Sequence, residues 1–205
     1  DFYFAAMRRD PVWASHCVAT VAEWGLVVAA LVTQLGSPLN WVALGTRLHQ
    51  AIYLPTGIEL WAAITLGVSL FVLVSVGLLT GFLSLPTWPP APGALAGLLT
   101  TLLCPAVMEE FWFRAVLVPA DGGFAHAILP LAAFMLYHVD LIHNHDVFRD
   151  WRFLSLAAAI GVGCTAAFLG TQSIWPPILF HWISVWIWIF FCGGKQLFEN
   201  KNDDV

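Results

Sequence analysis

Two adjacent glutamates followed four residues later by an arginine, Glu109-Glu110-Phe111-Trp112-Phe113-Arg114, are the residues of this chain best suited to chemistry. They lie in an apolar stretch, where ionisable side chains are expensive to bury and are functional candidates by default. Glu23, His126, His138, Asp140 and His181 lie in similar surroundings. On a helix Glu110 and Arg114 share a face and form an ion pair. Glu109 is turned by about 100° and lacks that local cation. One carboxylate is neutralised and the other is left free to act. A structural reading stands beside this one, with both glutamates anchoring helix packing through Arg114 and a neighbouring hydroxyl.

Phe134 and His138 also share a helical face, which places the ring beside the imidazole. His181 follows the turn Gly170-Thr171-Gln172-Ser173-Ile174-Trp175-Pro176-Pro177, whose proline pair suits the first turn of a helix. Each histidine alone reads as a satisfied structural residue. Together with Glu109 they suggest hydrolysis: a glutamate and an imidazole sharing a proton in a cavity of low dielectric activate water against a peptide carbonyl. A histidine or a polar amide opposite would stabilise the oxyanion. A Glu/His/His metal site with a position open for water is the alternative chemistry. HExxH, GxSxG and glycine-rich nucleotide loops are absent from the sequence.

The elements that must position these groups are membrane helices. Of the 205 residues, 60% are hydrophobic and 10% charged, against about 25% charged in a soluble domain. Mean hydropathy is +0.80. The expected fold is all-α, a single polytopic membrane domain over 1–205. Residues 1–93 would hold N-terminal spans and an interfacial segment, 94–194 the motif-bearing core and 195–205 a polar tail. Spanning the hydrocarbon layer takes roughly 20 apolar residues. Six stretches qualify, near 14–35, 59–84, 94–117, 124–142, 153–170 and 174–192. Residues 37–57, with Asn40, Arg47, His49 and Gln50 among apolar neighbours, suit an interfacial helix. The link Pro86-Thr87-Trp88-Pro89-Pro90-Ala91-Pro92-Gly93 breaks the chain into two halves. Gly77-xxx-Gly81 and Gly93-xxx-Gly97 are small-residue pairs that would let helices approach.

Six spans put Arg8, Arg9, Arg149, Arg152, Lys195 and Lys201 on one side and only Arg47 on the other. By the positive-inside rule both termini face the cytoplasm or its equivalent, the stroma or matrix. The net charge of −5 and the lack of a basic run give no sign of a nucleic-acid partner. Cys17, Cys104, Cys164 and Cys192 are scattered singly, without CxxC spacing, and read as buried small hydrophobes. Trp13, Trp88, Trp151 and Trp175 fall near span ends, where an interfacial belt places tryptophan. The first residues carry no signal-peptide pattern.

These residues resemble the CAAX prenyl-protease and bacteriocin-processing family of intramembrane glutamic proteases. Its pattern is EExxxR, then FxxxH, then HxxxN on a further helix. Here Glu109, Glu110 and Arg114 match the first, Phe134 and His138 the second, and His181 the third. The run Ser173-Ile174-Trp175-Pro176-Pro177-Ile178-Leu179-Phe180-His181-Trp182 is similar as well, and the likeness covers roughly 97–194. The resemblance implies that Glu109 activates the water, assisted by His138, and that His181 helps hold the oxyanion. Glu110, Arg114 and Phe134 would be supporting residues. No cofactor is implied.

One position departs from the pattern. The asparagine four residues after the third-motif histidine is Val185 here, which cannot donate a hydrogen bond. Losing such a donor costs about 10²–10³ in rate. Two functions stay open. One is an intramembrane endopeptidase acting on a peptide or prenylated protein. The other keeps the fold without catalysis, as a scaffold, assembly factor or subunit of a larger membrane complex in a plasma or thylakoid membrane. A pigment-binding variant with histidine ligands belongs to the second class. In either case membrane lipids are partners, and substrate identity is not written in the sequence.

Overall fold

The computed structural model describes residues 38–118, 124–138 and 146–199, and every regular element within them is a helix. In chain order these are α1 Pro38–Ala51, α2 Leu60–Leu79, α3 Ala94–Val116, α4 Phe124–His138, α5 Asp146–Arg149, α6 Trp151–Thr171, α7 Trp175–Phe191 and α8 Gly194–Glu199. Among the described residues α2, α3 and α6 are long and apolar enough to cross a membrane, while α4 and α7 are apolar but shorter. The protein is thus a membrane helical bundle. Five of the six expected spans coincide with these helices. The first, 14–35, lies outside the described residues, as do Glu23, Asp140 and the end of the fourth span.

Side-chain size sets the register of α2 against α6. The buried residues of α2 are Ala62, Ser69, Leu73 and Gly77, spaced seven, four and four apart along one stripe. A Cβ on Gly170 would meet Ala62, and one on Gly163 would meet Ser69 at 3.0 Å. As the α2 partner advances by seven the α6 partner retreats by seven, so the helices run antiparallel. Small residues let the two backbones approach, which dispersion rewards in lipid, where no hydrophobic drive acts between helices. These contacts replace the expected ones. Gly81 and Gly93 take positive φ of 67° and 88° at helix ends, where glycine is favoured. Gly77 packs on Leu83, and Gly97 on Phe190.

Helix α6 is the central element, buried along most of its length. Asp150 caps it by accepting from the backbone N–H of Arg152 at 2.8 Å. The side chain of Arg152 reaches back to Asp150 and to the carbonyl of Thr80 beyond the end of α2. Those side-chain hydrogen bonds hold the Asp150 carboxyl below its usual range.

Helix α7 packs on the first part of α3 through indoles. Trp182 Nε1 donates to the carbonyl of Leu98, and Trp186 Nε1 to that of Ala94, both at 2.9 Å. These tryptophans lie inside the bundle. Trp88, Trp151 and Trp175 are exposed near helix ends, as an interfacial belt requires. Cys164 and Cys192 are buried, as their surroundings imply, but Cys104 is exposed. The reason is local: Cys104 has non-helical φ and ψ of −140° and 117° just before Pro105, which turns it out of the packed face.

Candidate functional site

The break at Cys104 and Pro105 lies one turn before the paired glutamates. Proline lacks the N–H that the helical ladder needs, and α3 answers with wide π-type turns over Leu102–Val107 and Phe111–Val116. Between them Met108–Glu110 forms a short α-helical stretch. The N–H of Leu117 reaches five residues back to the carbonyl of Trp112, at 3.1 Å. Such widened turns recur at functional sites because they re-aim side chains.

Glu110 is fully buried and paired with a cation, although its Oε2 makes no hydrogen bond among the described residues. Arg114 Nη1 donates to its Oε1 at 3.2 Å, and Arg114 Nε lies 3.2 Å from Oε2. His181 Nδ1 lies 2.7 Å from the same Oε1. Arg114 is held in turn by the Gly161 carbonyl at 3.0 Å and by the face of Phe134, 4.4 Å from the ring centroid. A side chain at 161 would collide with Leu131 and Phe134, so glycine there lets α4 pack closely on α6.

Glu109 is different. It is 8% exposed, and its Oε2 is buried without a hydrogen bond. Among the described residues its ion-pair partners are His138 Nε2 at 3.5 Å and His181 Nε2 at 3.9 Å. Both separations are longer than a direct hydrogen bond. The ring partners settle the tautomers. His138 Nδ1 lies 2.9 Å from the Phe134 carbonyl, which can only accept, so Nδ1 carries hydrogen. His181 Nδ1 donates to the Glu110 carboxylate in the same way. When neutral, both rings therefore present bare Nε2 lone pairs towards Glu109.

The six residues singled out in the sequence thus meet, from α3, α4 and α7, although they are spread over residues 109–181. Phe134 lies tilted against His138, with ring centroids 4.2 Å apart, and edge-on to His181 at 6.2 Å. His126 is exposed at the start of α4 and stands apart. Val185 is half-buried one turn beyond His181. The pairing of His181 differs from the sequence expectation, because its shortest contact is with Glu110 rather than Glu109.

Three contributors were not foreseen. Gly161 supplies the carbonyl described above. Cys164 brings its sulfur within 4.8 Å of donor atoms of Glu110 and His181. These three could gather round a metal ion only by displacing Arg114 from Glu110, so the present contacts favour the ion pair. Arg47, from α1, is 5% exposed and donates to the carbonyls of Arg114 and Ala115 at 2.7 and 2.6 Å. The only sequence signal for it is an arginine set among apolar residues.

Residues 91–187 match the family model described as Type II CAAX prenyl endopeptidase Rce1-like. The match contains all six site residues and upholds the resemblance carried by their motifs. None of the curated proteins or solved structures is significantly similar to the chain.

Proposed function

We propose, taking the Rce1-like match of residues 91–187 as premise, that this protein is an intramembrane endopeptidase in which Glu109 activates the attacking water. The observation that carries the reading is the contrast between neighbours: Glu110 is neutralised by Arg114, while among the described residues the ion-pair partners of Glu109 Oε2 are two imidazole nitrogens. A water admitted beside these groups would donate one hydrogen to Glu109 and the other to an Nε2. As its oxygen attacks the peptide carbonyl carbon, Glu109 takes a proton, and the carbonyl becomes an oxyanion. The C–N bond then breaks as that proton passes to the departing nitrogen, leaving an acid and an amine.

The bare Nε2 atoms constrain the oxyanion site. A neutral imidazole facing inward through a lone pair cannot donate, so His138 or His181 stabilises an oxyanion only once protonated. Val185 leaves no side-chain amide to take that part. The substrate class that fits is a membrane-borne peptide, such as a prenylated C-terminal segment.

The test is reconstitution in lipid vesicles with prenylated and unprenylated peptides, comparing wild type with Glu109→Ala. Cleavage by wild type and none above background by the variant is expected. Equal cleavage by both would end the glutamate mechanism. The orientation proposed from the Lys and Arg distribution places the end of α7 in the cytoplasm or stroma. Cysteines introduced at the exposed positions Gln50 and Gln196 should label from opposite sides, with Gln196 on the inner one. Labelling from the reverse sides would defeat that orientation.

A further inference from the structure

Arg47 belongs to a strap that joins α3 and α7, two of the three helices carrying the site. Its guanidinium donates to the carbonyls of Arg114 and Ala115, near the end of α3, and lies 5.6 Å from the centroid of Phe168. Those carbonyls are among the last of their helix and carry partial negative charge. A buried cation is suited to them.

The same segment holds the start of α7. The Ile174 N–H donates to the carbonyl of Ala51 at 2.9 Å, Trp175 Nε1 to that of Ile52 at 2.8 Å, and Ser173 Oγ to that of Tyr53 at 2.7 Å. Free carbonyls at the end of α1 thus meet free donors at the beginning of α7. One attachment lies about a turn beyond Glu110, and the other about two turns before His181. Residues 47–53 precede the stretch that matches the family model.

We infer that Arg47 is a positioning residue and that residues 47–53 act as a strap fixing the separation of α3 and α7, and with it the Glu110–His181 contact. Trp182 and Trp186 tie α7 directly to α3 only before the break at Pro105. Beyond it, apart from the Glu110–His181 contact, the two helices share an apolar cluster of Ala106, Ala115, Ile174 and Ile178, which does not by itself fix the distal half of α3. The strap supplies directional bonds at both ends.

Spin labels at Met108→Cys on α3 and Ile183→Cys on α7, both exposed positions, read the separation in a Cys17→Ser, Cys104→Ser background. Wild type should give a narrow distance distribution. Arg47→Ala should broaden it, and Arg47→Lys should restore it in part. Ser173→Ala, which removes one bond at the far end, should broaden it less and serves if Arg47→Ala does not fold. Arg152→Ala, which cuts a tie between α6 and the end of α2, should leave it narrow. Unchanged distributions in both strap variants, or equal broadening in Arg152→Ala, would overturn the inference. The turnover arm rests on the proposed hydrolysis: Arg47→Ala should lower kcat by about 10²-fold, as misplacements near 1 Å do, with little change in KM. A KM effect alone would count against positioning. If wild type cleaves nothing while Arg47→Ala still broadens the distances, the hydrolysis falls and the strap stands.

Discussion

Helix α6 presents two faces that obey different rules, although Gly161 and Gly163 are only two residues apart. Towards α2, Gly163 and Gly170 meet Ser69 and Ala62, and the contact is a matter of volume. Towards α3 and α4, Gly161 and Cys164 meet Arg114, Phe134 and Glu110, and the contact is a matter of paired charge. Glycine serves both ends. On the first face it brings backbone to backbone. On the second it makes room for Leu131 and Phe134 beside the carbonyl that Arg114 bonds. The comparison teaches that the α2–α6 seam tolerates changes that conserve size, whereas the charged face tolerates only changes that conserve pairing.

The largest effect should come from breaking the charged face. Arg114→Ala leaves Glu110 buried without its cation and removes the donor to Gly161. Breaking one partner of a buried pair costs about 3–5 kcal/mol. Thermal unfolding in detergent, with the yield of monodisperse protein, checks this. A variant within 1 kcal/mol of wild type, a margin small for any such loss, would mean that water reaches Glu110. The seam should yield less. Gly170→Leu forces a side chain against Ala62 and the backbone of Glu59, and overpacking of this kind costs about 1–3 kcal/mol. Gly170→Ala should cost less than Gly170→Leu. The reverse order would show that backbone geometry, not volume, selects glycine there.

Legibility in the sequence followed the range of the interaction. Runs of apolar residues place α2, α3, α6, α7 and the start of α4 close to their observed ends, because spanning length is a local property. The Glu110–Arg114 pair was legible for the same reason, a four-residue spacing on one helix. Convergence of Glu109, His138 and His181 was expected only through the family resemblance, since nothing local links residues so far apart. The partner of His181 was not legible. Choosing between adjacent glutamates depends on how α3 is wound, and the wide turns beside Pro105 alter that winding. Arg47 illustrates the limit. Counted in the sequence as the lone cation on one side of the membrane, it is in fact buried against the end of α3.

The smallest stability effect should come from the residue most important to the proposed chemistry. Glu109→Gln keeps the shape of the side chain and removes a charge with no cation bonded to it. The new amide has N–H groups to offer, and the bare Nε2 of His138 lies 3.5 Å from the oxygen it replaces. A hydrogen bond gained there contributes about 0.5–1.5 kcal/mol, which offsets small losses elsewhere. The unfolding midpoint should therefore stay near that of wild type, far above that of Arg114→Ala. Cleavage in vesicles should nevertheless disappear, because an amide cannot accept the proton of the attacking water. The two readouts together separate a reactive group from a packing anchor. Destabilisation by Glu109→Gln as large as that by Arg114→Ala would place Glu109 among the anchors. The contrast between the two adjacent carboxylates would then collapse, and the hydrolytic reading would lose the observation that carries it.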